Sequence, residues 1–253
     1  MGYIFAVCGK GGTGKTTITA LLINWLKANR ECSVLAVDAD PNSNLSNSLG
    51  VAKNKSLADI VDSITKDPKV VPSNMSKDHY IEYQVQLGLS ESNGFDLLSM
   101  GHPEGPGCYC YVNNVLRNIM QKLIKNYDFV VIDNEAGMEH LSRRTMRAAD
   151  CLLLVSDHSV VGLRSAKRIL DLARDMGIKF KAAKLIVNRA DKDCRHLEDK
   201  IKESGLDCLG CLSEDKTLGK LSVEDKPVSK LGKDALILGQ FDKIVKNLFG
   251  LKD

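Results

Sequence analysis

The chain has 253 residues, 43% hydrophobic and 26% charged, with 35 Lys+Arg against 32 Asp+Glu and a formal net charge of +3. That length and balance suit one globular domain, and they exclude global disorder, a fibrous repeat and the strong basicity of a nucleic-acid binder. Eight cysteines are the compositional oddity.

Met1-Gly2-Tyr3 leads into the apolar run Ile4–Cys8 with no basic n-region, no long apolar h-region and no small-residue cleavage site. No stretch of 18 uncharged apolar residues occurs, so no membrane partner is expected. The expectation is a cytoplasmic protein whose cysteines are thiols, metal ligands or redox centres before they are disulfides. Short apolar runs predict strands at Ile4–Cys8, Ser33–Val37, Phe95–Ser99, Phe129–Ile132, Cys151–Val155, Lys184–Val187 and Cys208–Leu212. Helical spacing predicts Lys15–Asn29, Val112–Lys125, His140–Ala149, Val161–Met176, Arg195–Glu203 and Asp234–Leu248. The alternation predicts a single α/β domain over residues 1–253, with a mostly parallel central sheet and helices on both faces. Pro68–Ser92, polar and weakly periodic, reads as a long connection, and Gly101–Gly107 as loop.

Gly9-Lys10-Gly11-Gly12-Thr13-Gly14-Lys15-Thr16-Thr17 follows the first strand and opens the first helix. It satisfies G-x-x-x-x-G-K-[ST] in the strand–turn–helix context that this motif requires. Gly11, Gly12, Thr13 and Gly14 let successive backbone N–H groups face phosphate oxygens, and the helix N-terminus adds partial positive charge. Lys15 would reach the β- and γ-phosphates of ATP, Thr16 would ligate Mg²⁺, and Thr17 could donate to the α-phosphate. The stretch also matches G-x-G-x-x-G through Gly9, Gly11 and Gly14, with Asp38 ending the second strand, as in a dinucleotide fold. Lys15-Thr16 after the last glycine, and a further apolar strand ending in an acid at Asp133, favour a nucleoside triphosphate instead.

Lys10 departs from an ordinary phosphate loop, because a second lysine within the glycine run cannot easily fold back onto phosphates that Lys15 occupies. With K-G-G-x-G-K-T at Lys10–Thr16, the chain resembles the deviant Walker A ATPases, the class of MinD, ParA and the nitrogenase iron protein. The resemblance implies P-loop ATPase activity in a homodimer in which Lys10 crosses to the partner subunit's phosphates, a cation supplied in trans. It also implies a switch I at Val37–Asn42, with Asp40 positioning the attacking water and Asp38 in a structural or Mg²⁺-shell role. An acidic cap on the following helix is the plainer reading of those two acids. Asp133–Gly137 looks like switch II, with Asp133 holding Mg²⁺ through water and Gly137 allowing the backbone to change conformation. The family's adenine-reading Asn falls on Asn188, followed by Arg189, since an amide donates and accepts at once. A lone Asn at a strand end also serves as a turn residue.

Cys108-Tyr109-Cys110 follows a Gly/Pro loop. In extended backbone, residues i and i+2 share a face, so both sulfurs can approach one metal ion. Two thiolates are half a shell, which a second chain across a twofold axis would complete as Cys₄; two incidental buried cysteines are the alternative. Cys208 and Cys211, in a strand read as central, are structural thiols, as are Cys8, Cys32 and Cys151, while Cys194 is undecided. The Cys-x-Cys resembles the feature that sets apart one branch of the deviant Walker ATPases. This is the CooC/AcsF-type nickel-insertion ATPases that mature carbon monoxide dehydrogenase and acetyl-CoA synthase. That resemblance implies Cys108 and Cys110 as Ni²⁺ ligands, with Zn²⁺ possible, at the dimer interface, and a nickel enzyme as target. Two other functions stay open. One is a MinD- or ParA-like positioning ATPase, supported by the amphipathic stretch Phe241–Phe249. The other is a redox ATPase with an iron–sulfur cluster on Cys108 and Cys110.

Overall fold

Runs of aliphatic residues four to ten long become strands when helices cover both of their faces. The computed structural model describes residues 2–42, 44–101, 117–136, 148–190 and 197–251. Its strands are β1 (Tyr3–Gly9), β2 (Val34–Ala39), β3 (Ser90–Ser92), β4 (Phe95–Ser99), β5 (Phe129–Asn134), β6 (Ala148–Asp157), β7 (Lys179–Ala190) and β8 (Cys208–Ser213). They form one sheet in the order β3-β4-β2-β5-β1-β6-β7-β8. Among these strands every pairing is parallel except β3 with β4. The described helices are α1 (Lys15–Asn29), α2 (Leu45–Leu49), α3 (Leu57–Lys66), α4 (Lys77–Gly88), α5 (117–123), α6 (Val160–Asp175), α7 (Glu198–Ser204), α8 (Lys216–Val223) and α9 (Leu236–Phe249). The expected α/β architecture, a mostly parallel sheet between helices, is what forms.

The period of two along β1 separates the core into two layers. Ile4, Ala6 and Cys8 pack with Leu57, Ile60 and Val61 of α3 and Leu163 and Ala166 of α6. Phe5 and Val7 face the other way, against Ile18, Leu22 and Leu26 of α1 and Phe241 and Ile244 of α9. The amphipathic face of α9 is therefore buried against the sheet. Its outer edge is held by Trp25, whose indole N–H donates to Asp242 at 2.8 Å. Phe249 stacks on Trp25 with centroids 5.9 Å apart, and the Arg30 guanidinium lies 4.1 Å from the Phe249 ring centroid.

The structure departs from the sequence reading in several places, and α2, α3 and α8 fall in none of the expected helices. Pro68–Ser92 is not a connection but holds a 3₁₀ turn at Pro68–Val70, then α4 and β3. Just before it, α3 starts at a capping box in which Ser56 accepts from the Asp59 N–H and Asp59 accepts from the Ser56 N–H. Ala148 and Ala149, expected at the end of a helix, begin β6; residues 140–147 of that helix lie outside the described residues, as do 112–116 of the preceding one. β8, expected to be central, is the sheet's edge. Cys8, Cys32, Cys151 and Cys208 are free thiols, whereas Cys211 is disulfide-bonded, contrary to its reading as a structural thiol. Cys194 lies outside the described residues. No helix among the described residues is long and apolar enough to cross a membrane.

Phe241 is 2% exposed and bridges α9 to the sheet. Phe241→Ala should lower the unfolding free energy by about 3–5 kcal/mol. Urea unfolding followed through Trp25, the chain's single tryptophan, reads that change directly.

Candidate functional site

The C-terminal ends of the parallel strands converge on one rim, the side on which open α/β sheets bind ligands. β1 ends at Gly9, pressed against its neighbour: a Cβ there would lie 2.4 Å from the Val155 carbonyl oxygen of β6. The chain then turns through Lys10–Gly14 with Gly12 at φ 81° and Gly14 at φ 92°, left-handed values that glycine adopts without penalty. The Thr13 hydroxyl donates to the Lys10 carbonyl at 2.9 Å and closes the turn. α1 starts directly at Lys15 with no side-chain cap. Its first N–H groups are thus left to an external acceptor, and with the helix dipole they make an anion site.

Lys15 is 7% exposed and donates to the Lys10 carbonyl at 3.4 Å. One such bond does not satisfy a buried ammonium with three donors, and an anion in the loop would supply acceptors for the rest. Lys10, Gly11 and Gly12 are exposed by contrast. Of the two lysines, one therefore lies beneath the loop and the other outside it.

Two acids lie one residue from the ends of neighbouring strands, in register, Asp38 of β2 opposite Asp133 of β5. Burial pushes Asp133 up to about 7, while the Thr16 hydroxyl, the Lys15 charge and the Thr19 hydroxyl, 3.2 Å away, hold it back and Asp38 raises it further. Burial likewise lifts Asp38 to about 6, although its oxygens accept the Leu45 N–H at 3.1 Å and the Asp40 N–H at 3.2 Å. Asp133 Oδ2 is buried with no hydrogen-bond partner. An orphaned carboxylate oxygen near the Thr16 hydroxyl is the donor chemistry a hard divalent cation takes, so these residues fit such an ion. Asp40 is half-buried, and its carboxylate accepts the backbone and side-chain N–H groups of Asn42 at 2.9 and 3.0 Å.

Asn188, 4% exposed at the end of β7, donates to the Thr13 carbonyl at 2.9 Å and accepts the Arg189 N–H at 3.0 Å. It fits so closely that a Cβ on Gly14 would lie 2.3 Å from its Nδ2. The amide expected to meet a base thus also holds the phosphate loop, with one donor and one acceptor site left over. Arg189 follows it, exposed, with φ at 55°. Thr16 and Thr17 line a cleft of about 320 Å³ whose other wall comes from α2, α8 and the turn after α8.

Gly11–Thr17, Asp38, Asp133 and Asn188 are therefore gathered at one rim, with Asp40 and Arg189 at its edge. Gly137, Cys108 and Cys110 lie outside the described residues. Among the described residues no group of three or more His, Cys, Asp or Glu could hold a metal ion. Sequence reasoning passed over Asn134, which ends β5 and donates to the Val7 carbonyl at 3.0 Å. It also passed over Asp157, which ends β6 and accepts the backbone N–H of Ser159, the residue that caps α6. Burial raises the Asp157 carboxyl, but the Ser159 bonds and the nearby His158 and Lys10 charges leave it lowered overall. The signal was the one that found Asp38 and Asp133, an apolar strand ending in an acid.

A glycine-rich loop feeding an uncapped helix, a buried lysine beneath it and buried acids beside it define a P-loop nucleotide-binding ATPase. Residues 4–228 match the CobQ/CobB/MinD/ParA nucleotide binding domain, and the chain belongs to that family. An uncharacterized ATP-binding protein of Methanocaldococcus jannaschii is 40% identical over 98% of this chain and 99% of its own length. The carbon monoxide dehydrogenase accessory protein CooC of Rhodospirillum rubrum is 34% identical over 69% of this chain and 70% of its own. In fold, the Pyrococcus furiosus cell division ATPase MinD superposes with a TM-score of 0.73 at 24% identity, covering all of both chains.

Asp133 and Asp38 bind a proton more tightly in the folded chain than unfolded, where the carboxyl value is 3.8. Their contribution to stability is therefore full below that value and is lost as pH rises through about 6 and about 7. Without nucleotide and divalent cation, the melting temperature should fall as pH rises across that window. Asp133→Asn should flatten the fall, as seen in calorimetric melts of the two proteins side by side.

Proposed function

We propose that the chain is an ATP-dependent nickel chaperone. In this reading residues 1–253 form one cytoplasmic ATPase domain that works as a homodimer and delivers Ni²⁺ to carbon monoxide dehydrogenase or acetyl-CoA synthase. The observation that carries it is Cys108-Tyr109-Cys110 in a chain one-third identical to a carbon monoxide dehydrogenase accessory protein over most of both lengths. The ion is cargo, taken up by Cys108 and Cys110 of two chains as a Cys₄ shell; the same four thiolates would also accept Zn²⁺.

On the nucleotide side, the N–H groups of Gly11–Gly14 and the Lys15 ammonium bind the phosphates of ATP. Thr17 donates to the α-phosphate, and Asn188 with Arg189 lies toward the adenine. Thr16 and Asp133, with Asp38 nearby, would hold Mg²⁺, which when bound neutralises charge on the β- and γ-phosphates. Asp40 orients the attacking water. Lys10 of one protomer reaches the phosphates of its partner, a role its exposed position supports, and stabilises the charge that grows on the transferred group. A backbone change at Gly137 on loss of the γ-phosphate would pass the state of the nucleotide to the metal loop.

The likeness to a cell division ATPase favours a second reading, a positioning ATPase acting at a membrane. Against it, the apolar residues Ile237, Phe241, Ile244 and Val245 of α9 are already buried in the core. Anaerobically purified protein, incubated with Ni²⁺ and desalted, should retain about one nickel per two chains, with little iron. Cys108→Ser and Cys110→Ser should each abolish that retention without loss of ATP binding. Variants that retain nickel as the wild type does would overturn the proposal, and a stoichiometric iron and sulfide content would replace it with a cluster-carrying redox ATPase.

A further inference from the structure

α2 is a five-residue helix between two carboxylates. At its start, the Leu45 N–H donates to buried Asp38 at 3.1 Å. Two residues on, the Asn47 side-chain amide donates to both oxygens of Asp225, at 2.9 and 3.1 Å, across 178 residues of sequence. Asp225 lies in the turn that ends α8, where the Lys226 N–H reaches the Leu221 carbonyl at 2.8 Å. Its φ is 52°, a left-handed value at which a helix end ordinarily takes glycine. An aspartate at such a position carries a backbone penalty, which its two hydrogen bonds to Asn47 offset.

A second contact lies beside the first. Gly50, at φ 74°, abuts Pro227 so closely that a Cβ would lie 2.9 Å from the proline Cγ. Leu49 is buried in the same cluster as Val228 and Leu231. The turn after α8 thus grips α2 on both its polar and apolar sides. Between them opens the cleft that Thr16 and Thr17 line.

From this juxtaposition we propose that Asp225 is a positioning residue for ATP hydrolysis. Through Asn47 it fixes α2, and through the Leu45 N–H it fixes the Asp38 carboxylate and the segment carrying Asp40. Asp38 and α2, on either side of Asp40, are then both anchored, the one in the sheet and the other by the turn after α8. The proposal rests on the ATPase chemistry of the site and is independent of nickel.

The test uses the full chain and three single variants, Asp225→Gly, Asp225→Asn and Asn47→Ala, with the double variant Asn47→Ala/Asp225→Gly. Glycine suits the left-handed backbone, so Asp225→Gly should melt at or above the wild-type temperature while its kcat for Mg-ATP falls about three- to tenfold with KM within about twofold. Asn47→Ala should show the same split, and the double variant should be no slower than either single one. Asp225→Asn, which tolerates the same φ and still accepts from Asn47, should restore kcat to within about twofold of wild type. The proposal is overturned if Asp225→Gly hydrolyses ATP at the wild-type rate, or if the two single effects simply multiply in the double variant. Nickel retention, measured on the same samples, should be unchanged throughout; its absence from wild type and variants alike would count against the chaperone and leave this result standing.

Discussion

Two carboxylates buried side by side need a cation, and the rest of the site answers that need. Asp38 and Asp133 lie in register near the ends of adjacent strands, both hidden from water. Burial raises both toward neutrality, and Lys15 is the buried positive charge that holds Asp133 back. Lys15 in turn lies beneath a loop whose backbone offers donors rather than acceptors. An anion in the loop and a hard cation at the acids would each complete the other's charge balance, the electrostatic requirement of a metal–nucleotide pair.

The sheet makes that cluster possible. Parallel register brings the ends of β1, β2, β5, β6 and β7, among others, to one edge, and the close passage of Gly9 past Val155 aims the loop across it. Asn188 fastens the loop from β7 and Thr19 restrains Asp133 from α1. The sheet face that α1 covers is closed further by α9, whose contacts with Trp25, Arg30 and Phe129 fix it in place. A helix so held is a structural wall, which is why its amphipathic pattern does not by itself argue for a membrane.

Much of this was legible in the residues. α1 and β4 have the bounds their patterns predict, since Gly14 starts the one abruptly and a compact apolar run defines the other. The loop, Asp38 and Asp133 were legible because glycine, lysine and strand-end acids leave a local signature. α4 was not, because only Ile81 and Val85 of its residues are buried, too few to impose a helical period. The edge position of β8 was hidden for another reason: strand order is a long-range property, and an apolar run reads the same at an edge as at a centre. The tie between Asn47 and Asp225 is equally non-local. Asp225 reads as an ordinary charged turn residue until its φ and its partner are known.

Pocket chemistry and cysteine pair meet in one claim: that nucleotide and metal are bound by the same pair of chains and sense one another. Linkage makes that claim measurable without knowing the target enzyme, since a nucleotide that alters the metal site must change the affinity for metal. The most direct measurement is the nickel Kd of the purified protein in saturating ADP and again in a non-hydrolysable ATP analogue. The account predicts two values that differ by about tenfold or more. Equal affinities in the two states would contradict it.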